Sequence, residues 1–139
     1  GWGSNRGVEG MASDGDGLLL VPEQGDHVLR VTGWRARTMP IAHDRGRISD
    51  IVSIGPGRYL AIERRLTPFG FRNALVNLVK TRSGYRFGRR FALPLGVLDN
   101  VEALAIERLP NGTRRLWLMT DDNLQPPLRT LLVALILPD

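Results

Sequence analysis

The chain has 139 residues, 42% hydrophobic and 24% charged, which is the composition of one folded domain and excludes a disordered chain. It has no cysteine, which excludes disulfides and thiolate chemistry, and no apolar run long enough to span a membrane as a helix. The net charge is +5, yet the basic residues are scattered arginines with one lysine, Lys80, and few aromatics lie among them, which argues against a nucleic-acid surface.

The chain opens on Gly1 to Gly7, followed by a short apolar segment, Val8-Glu9-Gly10-Met11-Ala12. A turn at Asp14-Gly15-Asp16-Gly17 leads into the strand Leu18 to Glu23, then strands at His27 to Val31 and Ala36 to Ile41. The pattern restarts at Arg47-Ile48-Ser49-Asp50-Ile51-Val52. It passes the turn Gly55-Pro56-Gly57 and reaches Tyr59-Leu60-Ala61-Ile62-Glu63. Asn73 to Thr81 and Tyr85 to Ala92 follow, joined by Ser83-Gly84, a tight hairpin signal. Leu75, Leu78 and Val79 also fit helical spacing, but Tyr85-Arg86-Phe87-Gly88 after the turn favours the hairpin. A third restart at Asn100-Val101-Glu102-Ala103-Leu104-Ala105 passes Pro110-Asn111-Gly112 and reaches Leu116 to Asp122. Thr130 to Ile136 is the last strand.

Three units of strand, glycine turn, strand and acidic end begin at Val8, Ile48 and Val101. Four short antiparallel strands in 40 to 50 residues is the size of a β-propeller blade. The fold expected is therefore all-β, with about eleven strands in three blades over 8–46, 47–98 and 99–139 of one domain. The first strand of each blade should be packed on both faces. Three blades do not close a ring, and the third lacks its outer strand. The end sheets should then bare an apolar face, with Met11, Leu19, Leu104, Trp117 and Leu132 among the residues involved. This predicts a partner: a preceding part of the propeller, or a second copy giving six blades.

The acids Glu9, Glu23, Glu63, Glu102, Asp121 and Asp122 recur at matching places in the units and should gather at one end of the stack. Gathered carboxylates need neutralising, either by a hard cation such as Ca2+ or by arginines. Acids at strand ends also commonly accept backbone N–H bonds. Glu9 and Glu102 sit inside apolar strands, so each must face a wet channel or pair with an arginine. Arg6, Arg64, Arg65 and Arg129 are the candidate partners, and facing a channel they would suit a phosphate or carboxylate ligand. Nucleophilic catalysis has little to draw on. The histidines are His27 and His43, Ser49 stands beside Asp50, and no Gly-x-Ser-x-Gly elbow is present.

The motifs Asn5 to Ala12, Ser49 to Val52 with Leu60 to Arg64, Asp99 to Ala105, Thr120 to Asn123 and Arg129 to Leu132 resemble, in order and spacing, the phytase-like family of bacterial proteins, named for an esterase-like activity of phytase. The resemblance implies a propeller, export to the periplasm or beyond, and hydrolysis of phosphate or other esters. Ca2+ held by the carboxylates would assist that hydrolysis. The alternative is a noncatalytic propeller that binds a ligand or protein on one face. A preceding part, with any signal peptide, would lie outside this chain.

Overall fold

The computed structural model describes residues 7–23, 26–42, 46–68, 70–94 and 96–137. Eleven strands occupy them: β1 (Val8–Asp14), β2 (Gly17–Pro22), β3 (His27–Thr32), β4 (Arg35–Ala42), β5 (Arg47–Gly55), β6 (Arg58–Thr67), β7 (Gly70–Lys80), β8 (Tyr85–Ala92), β9 (Val101–Arg108), β10 (Arg114–Thr120) and β11 (Leu132–Leu137). Among the described residues there is no helix, so none is long and apolar enough to cross a membrane. The segment from Asn73 that also fitted helical spacing is strand β7, hydrogen-bonded along its length to β6.

Each unit is an antiparallel meander: β1-β2-β3-β4, then β5-β6-β7-β8, then the three strands β9-β10-β11. The result is an all-β, propeller-like stack in which the first strands β1, β5 and β9 lie against one another in sequence order. One feature departs from three separate sheets. The outer strands β4 and β8 pair in parallel through Ile41 with Tyr85 and Ala42 with Arg86, joining the first two meanders into one sheet of eight strands.

Two apolar cores separate the three layers. Leu19, Val21, Ile51, Tyr59, Ala61 and Val76 fill the first, between meanders one and two. Leu60, Ile62, Leu75, Val101, Leu104 and Leu118 fill the second, between meanders two and three. The middle layer is therefore sandwiched, and β6 shows it: Tyr59 to Glu63 are all buried, with alternate side chains entering opposite cores. β1 and β9 are not packed on both faces as expected, because each belongs to an end layer with one layer against it. Leu19 and Leu104 point inward and are buried, whereas Met11 and Leu132 are exposed and Trp117 is half-buried.

Polar bonds cross the layers where the first strands meet. Asp50 accepts the Ile51 and Leu104 N–H groups, both at 2.7 Å. Burial nevertheless pushes its carboxyl above the usual aspartate range. Ser49 Oγ, buried, donates to the Val101 carbonyl at 2.8 Å and so ties the second layer to the third.

An arginine cavity at the end of the stack

The meander direction puts the starts of β1, β5 and β9 and the ends of β2, β6 and β10 at one end of the stack. That end collects the acids singled out in the sequence, except that they are not interchangeable. Register pairs Val8 with Pro22, Ile48 with Glu63 and Val101 with Thr120. Glu63 therefore occupies the place of Pro22, and Arg64 the place of Glu23 and Asp121. The second unit carries a cation where its neighbours carry carboxylates, and this is what gathers the acids around it.

Arg64 is the centre. Its side chain is 16% exposed, and its Nη1 donates to Glu102 Oε1 and, at 2.6 Å, to Asn100 Oδ1. Nη2 is 3.8 Å from Glu23 Oε1, and the guanidinium stands over the Phe71 ring at 5.4 Å. Arg47 Nη1 reaches Glu23 Oε1 at 3.3 Å. Burial raises the Glu102 carboxyl above its usual range; Arg64 pulls it down, while the charges of Asp121 and Glu9 push it further up. Glu102 is thus a half-buried acid that holds its proton more tightly than a free glutamate, beside a fixed arginine.

Glu63 is 3% exposed, and a second set of donors holds it. The Gly46 N–H donates to its Oε1, Arg90 Nη2 to Oε1 at 2.7 Å, and Arg90 Nε lies 2.6 Å from Oε2. Arg65 Nη2 stands 3.5 Å away. Burial alone would raise this carboxyl, but Gly46, Arg90 and Arg65 outweigh it and hold it below the usual range. Arg90, absent from the sequence-based candidates, is found only through the register of β7 with β8, which brings it beside Val76.

The remaining candidates separate. Asp121 Oδ1 accepts the Asn123 N–H at 3.1 Å and Asp122 Oδ1 the Leu124 N–H at 2.9 Å, so both shape the turn after β10. Asn123 and Leu124 have positive φ there, 49° and 56°. Glu9 is exposed and acts on Glu102 through its charge. Arg129 is exposed, its carbonyl accepts from Thr120 Oγ1 at 2.5 Å, and among the described residues its side chain pairs with none of the acids. Arg6 and His43 lie outside the described residues. His27 Nδ1 is 3.0 Å from Asp26, far along the chain from this cluster.

Among the described residues no three histidine, aspartate or glutamate side chains converge closely enough to hold a metal ion. Ca2+ takes six to eight oxygens. Among the described residues Glu23, Glu63 and Glu102 face arginines, Asp121 and Asp122 accept backbone amides and Glu9 is exposed, and this donor set does not fit it. The arrangement instead leaves a cavity of about 510 Å³ lined by Arg47, Arg64, Arg65, Leu66, Phe71, Glu102 and Asn123. Among its described lining residues are three guanidinium groups and one carboxylate, and each guanidinium also faces a glutamate: Arg47 and Arg64 face Glu23, Arg64 faces Glu102 and Arg65 faces Glu63.

Asp14 anchors the opposite end and escaped sequence reasoning, which placed it in a turn. It is 4% exposed at the end of β1. It accepts from Tyr59 Oη at 2.6 Å, Tyr85 Oη at 3.1 Å, Arg30 Nε at 2.6 Å and Lys80 Nζ at 2.9 Å. Burial opposes its charge, but Tyr59, Lys80, Arg30 and Tyr85 together hold it far below the usual aspartate range. Burial, then the Asp14 charge, pushes the Tyr85 phenol up to about 12.

No curated protein and no solved structure matches the chain. The profile of the family described as "Phytase-like: Esterase-like activity of phytase" matches residues 1–124, which takes in the first two units and the third as far as the turn after β10. With that span covering the arginine cavity and all six of the recurring acids, the chain belongs to the phytase-like family.

Proposed function

We propose that this chain hydrolyses small anionic esters of the phosphate type, with the arginine cavity as its site. The reading is supported by one juxtaposition: the fixed guanidinium of Arg64 and the raised carboxyl of Glu102 share one cavity wall. Arg64, with Arg47 and Arg65, binds the anionic group and spreads its developing charge, as bidentate guanidinium donors do. Water adds to the ester centre and the bond to the leaving oxygen breaks. Glu102 gives its proton to that oxygen and recovers one from the attacking water. Family membership supports ester hydrolysis as the reaction class.

A noncatalytic anion-binding role is the second reading. It is favoured by the lining itself, in which the described residues include no serine or histidine. Hydrolysis of p-nitrophenyl phosphate and p-nitrophenyl acetate, beside calorimetry with inorganic phosphate, separates the two. The hydrolase reading expects turnover. It expects Arg64→Ala to raise KM roughly 10- to 100-fold, the loss of a charge-assisted hydrogen bond. Glu102→Gln should lower kcat by about 100-fold and remove the fall in rate as pH rises through the glutamate's raised pKa. Heat on phosphate binding without product from any ester would leave the binding role standing.

A further inference from the structure

The middle unit outreaches its neighbours at the arginine end of the stack. Pro22, Glu63 and Thr120 hold matching places in the three units; β2 and β10 stop there, whereas β6 runs on to Thr67. The further residues Arg64 to Thr67, at about 3.3 Å each, carry it about 13 Å past the ends of β2 and β10, and β7 returns along it from Gly70. Ile62 pairs with Leu75, Arg64 with Asn73 and Leu66 with Phe71. Alternate residues share a face, so these pairs form one column on the side toward the third layer. The first pair belongs to the second core, the second is polar, and the third is apolar again. Leu66 is 76% exposed and Phe71 half-buried, and neither belongs to either core. The layers on either side are both present, so strand length leaves this pair open.

An exposed leucine alone is ordinary surface. This one pairs across the strands with an aromatic ring, on the wall of a cavity whose other described lining is polar: Arg47, Arg64, Arg65, Glu102 and Asn123. The Arg64 guanidinium stands 5.4 Å from the centre of the Phe71 ring, so the cationic and apolar parts of the wall adjoin. Arg47 and Arg65, each more than half exposed, touch a glutamate through one nitrogen, and a guanidinium has further N–H groups to give. The cavity, about 510 Å³, is of a size that holds a small organic molecule rather than a bare ion.

We propose that the ester this cavity takes is amphiphilic, with a phosphate-type head among the guanidinium groups and an apolar alkyl or aryl group over Leu66 and Phe71. This rests on the reading of the cavity as an anion site and adds the half of the substrate which that reading leaves open. The head takes charge-assisted hydrogen bonds, and the apolar group removes leucine and phenylalanine surface from water. A ligand charged all round gains nothing from that pair.

Calorimetry with methylphosphonate and butylphosphonate tests this, since the two share a head group and their C–P bond resists hydrolysis. A buried methylene is worth roughly fourfold in affinity, so the extra methylenes, partly covered, should make butylphosphonate bind about tenfold tighter. Leu66→Thr, at an exposed strand position and checked for folding by circular dichroism, should bring the two ligands within about twofold of each other. Trp34→Thr removes a fully exposed side chain between β3 and β4 and should keep the preference. Equal affinities in the wild type overturn the proposal. So does a preference that Leu66→Thr leaves intact, one that Trp34→Thr abolishes, or no binding of either phosphonate. Turnover of p-nitrophenyl phosphate is read separately. Turnover with equal phosphonate affinities keeps hydrolysis and removes the amphiphilic ligand; a chain-length preference without turnover does the reverse.

Discussion

At the scale of single residues the two ends of the stack solve one problem differently. Each buries a carboxylate, Asp14 at one and Glu63 at the other, and neutralises it with donors from the neighbouring strands. Asp14 takes a lysine, an arginine and two phenols from four strands of the first two layers. Removing one member of a buried charged set leaves the others unpaired, which costs about 3–5 kcal/mol. Asp14→Ala is therefore expected to lower the unfolding free energy by about that amount in urea titration. Both carboxyls have folded-state pKa values below their unfolded ones, so their stabilisation is present above the unfolded values of 3.8 and 4.5 and is lost as pH falls through the folded ones. Wild-type stability should fall on acidification below about pH 4.5. In Asp14→Ala that fall should be shallower, since one of the two contributors is gone.

Elements obey stricter geometry than residues, and Gly10 shows how strict. β1 approaches β5 so closely that a methyl group at Gly10 would meet the Ile51 backbone nitrogen at 2.9 Å as well as its side chain. Backbone does not move aside, and Gly10→Ala should destabilise by about 1–3 kcal/mol, read as a lower urea midpoint at unchanged slope. The strands themselves were legible in the sequence because glycine turns and apolar runs alternate on the right length scale. Hairpin chemistry at Ser83-Gly84 marked β7 and β8 although their apolar spacing was ambiguous. Register was not legible. Apolar runs ending in acid look alike at Glu23 and Glu63, yet Glu63 is shifted one place, buried, and leaves Arg64 where its neighbours carry acids. One such step moves a side chain to the other face of a strand, and it decides which group faces the cavity. Asp14 was missed for a related reason: Asp-Gly reads as turn, and nothing local announces the two tyrosines and the lysine that come to it from β6, β8 and the end of β7.

The whole molecule is a set of layers whose seams differ. The first seam is closed by a core, by the short parallel join of β4 to β8, and by the Asp14 cluster; the second by a core and by bonds from Ser49, Asp50 and Arg64. Lys80 gives the first seam a property that no other position shares. It is the single lysine among nineteen basic side chains, and it sits at the seam with its ammonium 2.9 Å from a buried carboxylate. An acylating reagent can reach this amine only by displacing its contact with the buried carboxylate. Reaction at this side chain should therefore be slow in the native protein. It should accelerate in Asp14→Ala, read by mass spectrometry as the time course of a single added acyl group; equal rates in both proteins would refute the coupling. A chain that uses arginine almost everywhere else has left one amine where its layers part, so covalent labelling reports the opening of one chosen seam without an introduced probe.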